Sequence, residues 1–169
     1  MADLTRGRVI AKVRAGESLE GADLSGLDIT GANLSSGDLK RANLKGANLT
    51  GAYLTGTHLE GASLERADLK SARLRSANLS EANLSGAKLI RTDMSGANLS
   101  GANLSDANLS DANLWKANLT GANLLHANLT RALMAMANLK DANLKHADLT
   151  DTKLIKAELT DTILPEGFE

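Results

Sequence analysis

Ala97-Asn98-Leu99-Ser100-Gly101, Ala102-Asn103-Leu104-Ser105-Asp106 and Ala107-Asn108-Leu109-Ser110-Asp111 are one five-residue phrase written three times in succession. Outward from them the same frame continues without a slip, back to about Glu17 and on to Glu166. A leucine, or an apolar stand-in such as Ile29, Met94 or Met134, falls on residue 19 and on every fifth residue to 164, which makes thirty pentapeptides. Two places before each centre stands a small residue, usually alanine, as at Ala22, Ala32, Ala42 and Ala47. Internal periodicity of this kind decides the fold before any other feature is read.

Five is the wrong period for a helix. Each centre would sit about 140° around the helix from the last, so no apolar stripe could form. The strict i, i+2 pairing of alanine and leucine instead fits a short extended piece, in which both side chains point to the same side. The residues that follow, such as Ser25-Gly26 and Thr50-Gly51, are turn formers. One pentapeptide is then one short side of a polygon, with two residues inward, three outward and a corner.

Composition agrees with a narrow, regular interior. The 169 residues contain one Phe, one Trp and one Tyr, so leucine and alanine must build the core of what reads as a single unit. Cysteine is absent, which excludes disulfides and thiolate metal sites and leaves the redox compartment undetermined. A net charge of −1 gives no global field for nucleic acid or acidic substrates. Met1-Ala2-Asp3-Leu4 has no apolar signal region and no 18-residue apolar run occurs, so the expectation is a soluble cytoplasmic protein without a membrane partner.

The phrase Ala-(Asn/Asp)-Leu-(Ser/Thr/Lys)-Gly, seen at Ala32-Asn33-Leu34-Ser35-Ser36, Ala47-Asn48-Leu49-Thr50-Gly51 and Ala102-Asn103-Leu104-Ser105-Asp106, resembles the pentapeptide repeat protein family in its leucine-centred, cyanobacterial-like form. The resemblance covers almost nine-tenths of the chain. It implies an all-β fold, a right-handed quadrilateral parallel β-helix (solenoid) of about 7.5 coils, in which residue n stacks under residue n+20. At a strand spacing of roughly 4.8 Å the rod is about 36 Å long. Leucine then stacks on leucine and alanine on alanine. Outward asparagines stack too: Asn78, Asn98, Asn118 and Asn138 form one expected amide ladder, and Asn83, Asn103, Asn123 and Asn143 another. Thr57, Thr92, Thr152 and Thr162 replace the inward alanine, and Leu27 overfills that slot near the first coil.

Stacked coils need capped ends. Residues 5–15 break the repeat, and Val9, Ile10 and Val13 lie at helical spacing, so a short N-terminal capping helix is expected with Thr5 near its start and Gly16 near its end. The division is a cap at 1–16, a β-helix at 17–166 and a C-terminal tail at 167–169. Pro165 cannot donate a ladder bond, and the Phe168 ring is expected to plug the last coil.

Numbering modulo 20 assigns each outward residue to a side. The side centred on 19, 39, 59 and onward carries three basic residues (Lys40, Arg41, Lys140) against seven acids (Glu20, Asp38, Glu60, Glu81, Asp141, Glu158, Asp161), a balance of −4. Its neighbour, centred on 34, 54, 74, 94, 114, 134 and 154, carries Arg73, Arg75, Lys116, Lys153 and Lys156 against Asp93 alone, a balance of +4. This basic side also holds Trp115, Ala135 and Ile155 in one outward column, flanked by Leu133 and Met136. Nothing in the fold needs a tryptophan there, and an apolar patch rimmed by lysines marks a partner surface. The candidate partner-binding residues are therefore Trp115, Leu133, Met136, Ile155, Arg73, Arg75, Lys116, Lys153 and Lys156, facing an unknown protein or a second copy. His126 and His146 stack twenty apart, with Asp106 and Glu166 in the same column, and read as exposed corner residues rather than a metal or pH site.

No nucleophile, phosphate loop or pocket-forming segment stands out, so the chain is expected to be no enzyme, to need no cofactor and to bind no nucleic acid. The expected role is a non-enzymatic structural and interaction module presenting a rigid rod surface. The resemblance supplies an alternative, because some members of the family mimic DNA and bind a type II topoisomerase (gyrase). This chain departs from those members in its leucine centres, its unbroken repeat and its near-neutral charge.

Overall fold

Each pentapeptide has five backbone N–H groups, and the fold follows from where they go. The structure is a computed structural model that describes residues 4–168. In the pentapeptide 97–101, Leu99 N–H donates to the Asn118 carbonyl (2.7 Å) and Gly101 N–H to the Thr120 carbonyl (2.9 Å), both in the coil above. Asn98 N–H donates down to the Ala77 carbonyl (2.9 Å), and Ala97 N–H closes a tight turn on the Met94 carbonyl (3.0 Å). The fifth donor, Ser100 N–H, is taken by the Asn98 side-chain oxygen at 3.2 Å. This last bond is an Asx turn, and it gives the asparagine slot its physical reason.

Repetition of that pattern builds a β-helical solenoid. Parallel bridges join residue n to residue n+20 at four places per twenty residues, from Asp23–Asn43 to Asn143–Ile163. Inside, leucines from Leu24 to Leu144 are almost wholly buried, and so are the alanines from Ala32 to Ala142. Interior threonines pair their hydroxyls with backbone one coil below: Thr57 donates to the Leu34 carbonyl (2.9 Å), Thr152 to Leu129 (2.8 Å) and Thr162 to Leu139 (2.7 Å). Leu27 is only half-buried, near the start of the stack.

The corners adopt left-handed backbone. Thirteen glycines have positive φ, and so do eighteen non-glycine residues, with φ between 53° and 61°. That conformation costs roughly 1–2 kcal/mol for a residue with a Cβ. Not one of the eighteen is β-branched: they are Ser, Arg, Glu, Asp, Lys, His and Met. Valine, isoleucine and threonine, the stiffest at χ1, are kept out of this slot.

The amide ladders form over part of their expected length. Asn98 donates to Asn78 (3.1 Å), Asn118 to Asn98 (3.2 Å), Asn103 to Asn83 (3.3 Å) and Asn123 to Asn103 (3.3 Å). Among the described residues the expected rungs from Asn138 and Asn143 are not made. There the side-chain oxygens keep only their local bonds, from Lys140 and Lys145 N–H at 3.0 Å. The local turn outlasts the ladder because it needs no neighbouring coil.

Helix α1 spans Arg6–Arg14. Thr5 caps its first turn by accepting from Arg8 N–H, and Gly16 leaves it at φ 72°. Val9 is fully buried, while Ile10 and Val13 pack on the same core. Arg6 ties the helix to the first coil through the Thr30 carbonyl at 3.0 Å. Gly37 stands where other repeats carry alanine, and a Cβ there would come within 2.9 Å of the Leu34 carbonyl and 3.2 Å of the Leu39 and Val13 side chains. The missing methyl leaves room for the tight turn and for the cap together.

The opposite end is more open. Phe168 is 38% exposed and shares a shallow depression with Ala147, Leu149 and Pro165, while Leu154 and Leu159 remain half-buried. The expected phenyl plug is therefore partial, because the ring packs at one margin of the last coil. Residues 1–3 of the expected cap and Glu169 of the expected tail lie outside the described residues. No helix of the described residues is long and apolar enough to cross a membrane.

Leu104→Ala should destabilise the rod by about 2–5 kcal/mol through lost burial and a cavity, whereas outward Ser105→Ala, whose side chain makes no hydrogen bond to the rod, should cost less than about 0.5 kcal/mol. Calorimetric melting of the two variants would separate them, and equal losses would contradict the division into inward and outward residues. Acid should also loosen the fold. Asp23, Asp28 and Asp148 are held below the ordinary carboxylate value of 3.8, first by the hydroxyls of Ser25, Thr30 and Thr150 and then by the backbone N–H groups of those residues. A depressed folded value means that the stabilisation is present above the unfolded value and is lost as pH falls through the folded one. Melting temperature should therefore hold down to about pH 4 and drop below it. A rise on acidification would overturn this reading.

Candidate functional site

The basic side breaks the turn rule more often than any other. Its seven outward slots before the centre hold Asn33, Tyr53, Arg73, Asp93, Asn113, Leu133 and Lys153. Asn33, Asp93 and Asn113 accept from the N–H two residues on. Tyr53, Arg73, Leu133 and Lys153 bring no oxygen that could, so Thr55, Arg75, Ala135 and Ile155 lack that partner. Elsewhere the lapses are His58 on the acidic side, Ser63 and Ile163 on the side centred on 24, 44 and onward, and Lys88 on the side centred on 29, 49 and onward. Four lapses among seven slots mark one side as spending its local stability on other side chains.

Those side chains form a continuous feature. At the lower end, the Arg73 guanidinium lies over the Tyr53 ring, 4.6 Å from its centroid. Further up, Lys116 Nζ sits 4.3 Å from the Trp115 ring centroid. Cation–π stacking of this kind fixes the aromatic planes at an exposed site. Between these pairs Asp93 accepts from Ser95 N–H (3.1 Å), the Ser95 hydroxyl (2.7 Å) and the Asn113 amide (3.2 Å), with Arg75 Nε 4.0 Å away. The only acid on this side is thus engaged locally.

Above Asp93 the surface is concave. A shallow depression of about 640 Å³ is lined by Arg75, Asp93, Ser95, Asn113, Trp115, Leu133, Ala135, Lys153 and Ile155. Its shape has a sequence cause. Ala135 is the only alanine among the slots that follow a centre, and Trp115 and Ile155 stand one coil below and one above it in the same column. The backbones that carry the two large side chains lie about 10 Å apart, at two coil spacings, so Trp115 and Ile155 wall a gap floored by the methyl of Ala135. Trp115 is 44% exposed, Leu133 48% and Ile155 66%.

Of the sequence-derived candidates, the structure gathers Trp115, Leu133, Ile155, Arg75 and Lys153 into this depression. Lys116, Met136 and Lys156 lie in the adjoining corner column, all with left-handed backbone. Arg73 is outside it, on Tyr53. Tyr53 was missed by sequence reasoning, although its number places it in the column of Leu133. A second depression, between Ile10, Val13 and Arg14 of α1 and Asn33 and Ser35, carries the basic side down to the cap.

His126 and His146 stack face to face, with centroids 5.1 Å apart and planes at 12°. Parallel rings do not converge on a common ion, and among the described residues no group of three or more His, Asp or Glu side chains is placed to hold a metal.

Comparison with known proteins fits this architecture. A family model described as pentapeptide repeats matches in eight copies between residues 18 and 165. The pentapeptide repeat protein Rfr23 from the cyanobacterium Cyanothece 51142 is 41% identical over 54% of this chain and 63% of its own, with a TM-score of 0.53. This chain therefore spans under two-thirds of that protein. HetL, a pentapeptide repeat protein involved in heterocyst differentiation regulation in Nostoc sp. strain PCC 7120, is 30% identical over 98% of this chain and 99% of its own, with a TM-score of 0.47. Full-length QnrB1, a plasmid-mediated fluoroquinolone resistance protein, is 22% identical over 95% of this chain and 88% of its own, with a TM-score of 0.39, too distant to carry an argument. A search of curated proteins returns no match.

Proposed function

The chain belongs to the pentapeptide repeat family, and we propose that it is a non-enzymatic interaction module, a rigid right-handed rod of about 7.5 coils that presents its Trp115 side to a protein partner. The right-handed winding is the hand that parallel strand connections of L-residues favour. The observation that carries the functional reading is the concentration of exposed large apolar side chains on one side. Tyr53, Trp115, Leu133, Met136 and Ile155 all lie there, whereas the other two exposed ones, Ile163 and Phe168, lie at the C-terminal end. Clustered apolar exposure rimmed by cations is what docking surfaces use, with tryptophan a frequent anchor.

Catalysis has little support in the geometry. The depression is open, its one acid is held by the Ser95 hydroxyl and the Asn113 amide, and no histidine is among its lining residues to activate that hydroxyl. Mimicry of DNA for a topoisomerase is the weaker binding reading. Duplex DNA carries one charge per roughly 1.7 Å, so a rod of about 36 Å would need about twenty. The acidic side balances at −4 and is interrupted by Lys40, Arg41 and Lys140.

Wild type and Trp115→Glu, immobilised as bait in a lysate of the source organism, should differ in one retained protein, held by wild type alone. Retention of the same proteins by both would remove Trp115 and its side from the function.

A further inference from the structure

The notch over Ala135 has the dimensions and charge of a receptor for one kind of segment. We propose that it receives an acidic linear peptide segment of a partner protein, which inserts a single leucine, methionine or phenylalanine side chain between Trp115 and Ile155 and sets flanking carboxylates on Lys153, Arg75 and Lys116. The inference rests on the reading of this side as a docking surface and names what docks.

Three observations converge on it. The first is shape: a gap between side chains whose backbones are about 10 Å apart, with an alanine floor, admits one medium-sized side chain and excludes a helix, whose diameter is about 10–12 Å. The second is charge: the side balances at +4, and its only acid, Asp93, already accepts from Ser95 and Asn113 and faces Arg75. Carboxylates arriving beside the notch meet two cations that line it, Lys153, which has no acidic partner on this side, and Arg75, whose one acidic neighbour Asp93 is 4.0 Å away and already hydrogen-bonded elsewhere. The third is the backbone: loss of asparagine at 133 and 153 leaves Ala135 and Ile155 N–H groups without a side-chain acceptor on the rim. An extended segment crossing the corner can supply carbonyl or carboxylate oxygens to both.

A second copy fits less well. Two basic sides face to face would set +4 against +4, and the acidic side that could answer the charge carries none of the exposed large apolar residues needed to fill the notch. A nucleic-acid strand would find cations but an aliphatic floor, with one tryptophan for stacking.

Trp115 is the only tryptophan, so occupancy can be read from intrinsic fluorescence. Selection of a random twelve-residue phage-displayed peptide library on the intact protein should enrich sequences with one Leu, Met or Phe flanked by Asp or Glu. The synthetic peptides should shift Trp115 emission, and affinity should fall about tenfold or more in Ala135→Gln and in Lys153→Glu. Glutamine fills the notch without changing charge, at an outward slot where most other repeats carry serine, threonine, lysine or glutamate, and unchanged melting would verify the fold. Neutral or basic consensus sequences, no enrichment, or equal binding to Ala135→Gln would overturn the inference. So would a wild-type dimer in sedimentation that Ala135→Gln abolishes, since that assigns the notch to a second copy. Capture of a folded partner through Trp115 without acidic-peptide binding would sink this inference and leave the docking role standing.

Discussion

Five N–H groups per pentapeptide must each find an acceptor, and only four can find one on the backbone. Two go to the coil above, one to the coil below and one into the turn, as in residues 97–101. The fifth points outward at the corner, where asparagine or aspartate takes it back into the same repeat. That short local bond lets a five-residue unit close on itself and stack identically on its neighbours. Leucine and alanine burial supplies the driving force, but the bond geometry sets the period.

A fold so fully specified from within leaves its exterior free wherever the corner bond can be forgone. Most of the rod does not use that freedom, and asparagine or aspartate fills most outward slots before the centre. The basic side does, at Tyr53, Arg73, Leu133 and Lys153. Each substitution exchanges about one local hydrogen bond, worth about 1 kcal/mol, for an aromatic, a cation or an aliphatic group at the surface. Stability given up repeatedly on one side and seldom on the others is what a binding surface looks like in a repeat protein. The corners follow no such bias, because non-glycine residues in left-handed backbone are spread over all four sides.

Much of this was legible in the residues alone. The period of five, the inward leucine and alanine, the threonines facing in and the helix between Thr5 and Gly16 all follow from strong local signals. The stacking by twenty came from family resemblance, and it placed Trp115, Leu133 and Ile155 together as neighbours. What escaped was geometric. Asparagine was read as a ladder former between coils, but its constant partner is the N–H two residues on, and the ladder stops at Asn118 and Asn123. Tyr53 was passed over because a lone aromatic carries no pattern until Arg73 is seen above it. Phe168 was given a central role at the C-terminal end that its marginal position does not fill.

Amide hydrogen exchange, resolved residue by residue in the native rod, tests the corner bond most directly. Ser80, Ser100, Ser105 and Thr120 N–H groups, each held by an asparagine oxygen, should exchange about tenfold or more slowly than those of Thr55, Arg75, Ala135 and Ile155. Equal rates in the two sets would mean that the asparagine bond does not close the repeat, and that its loss on the basic side carries no information about function.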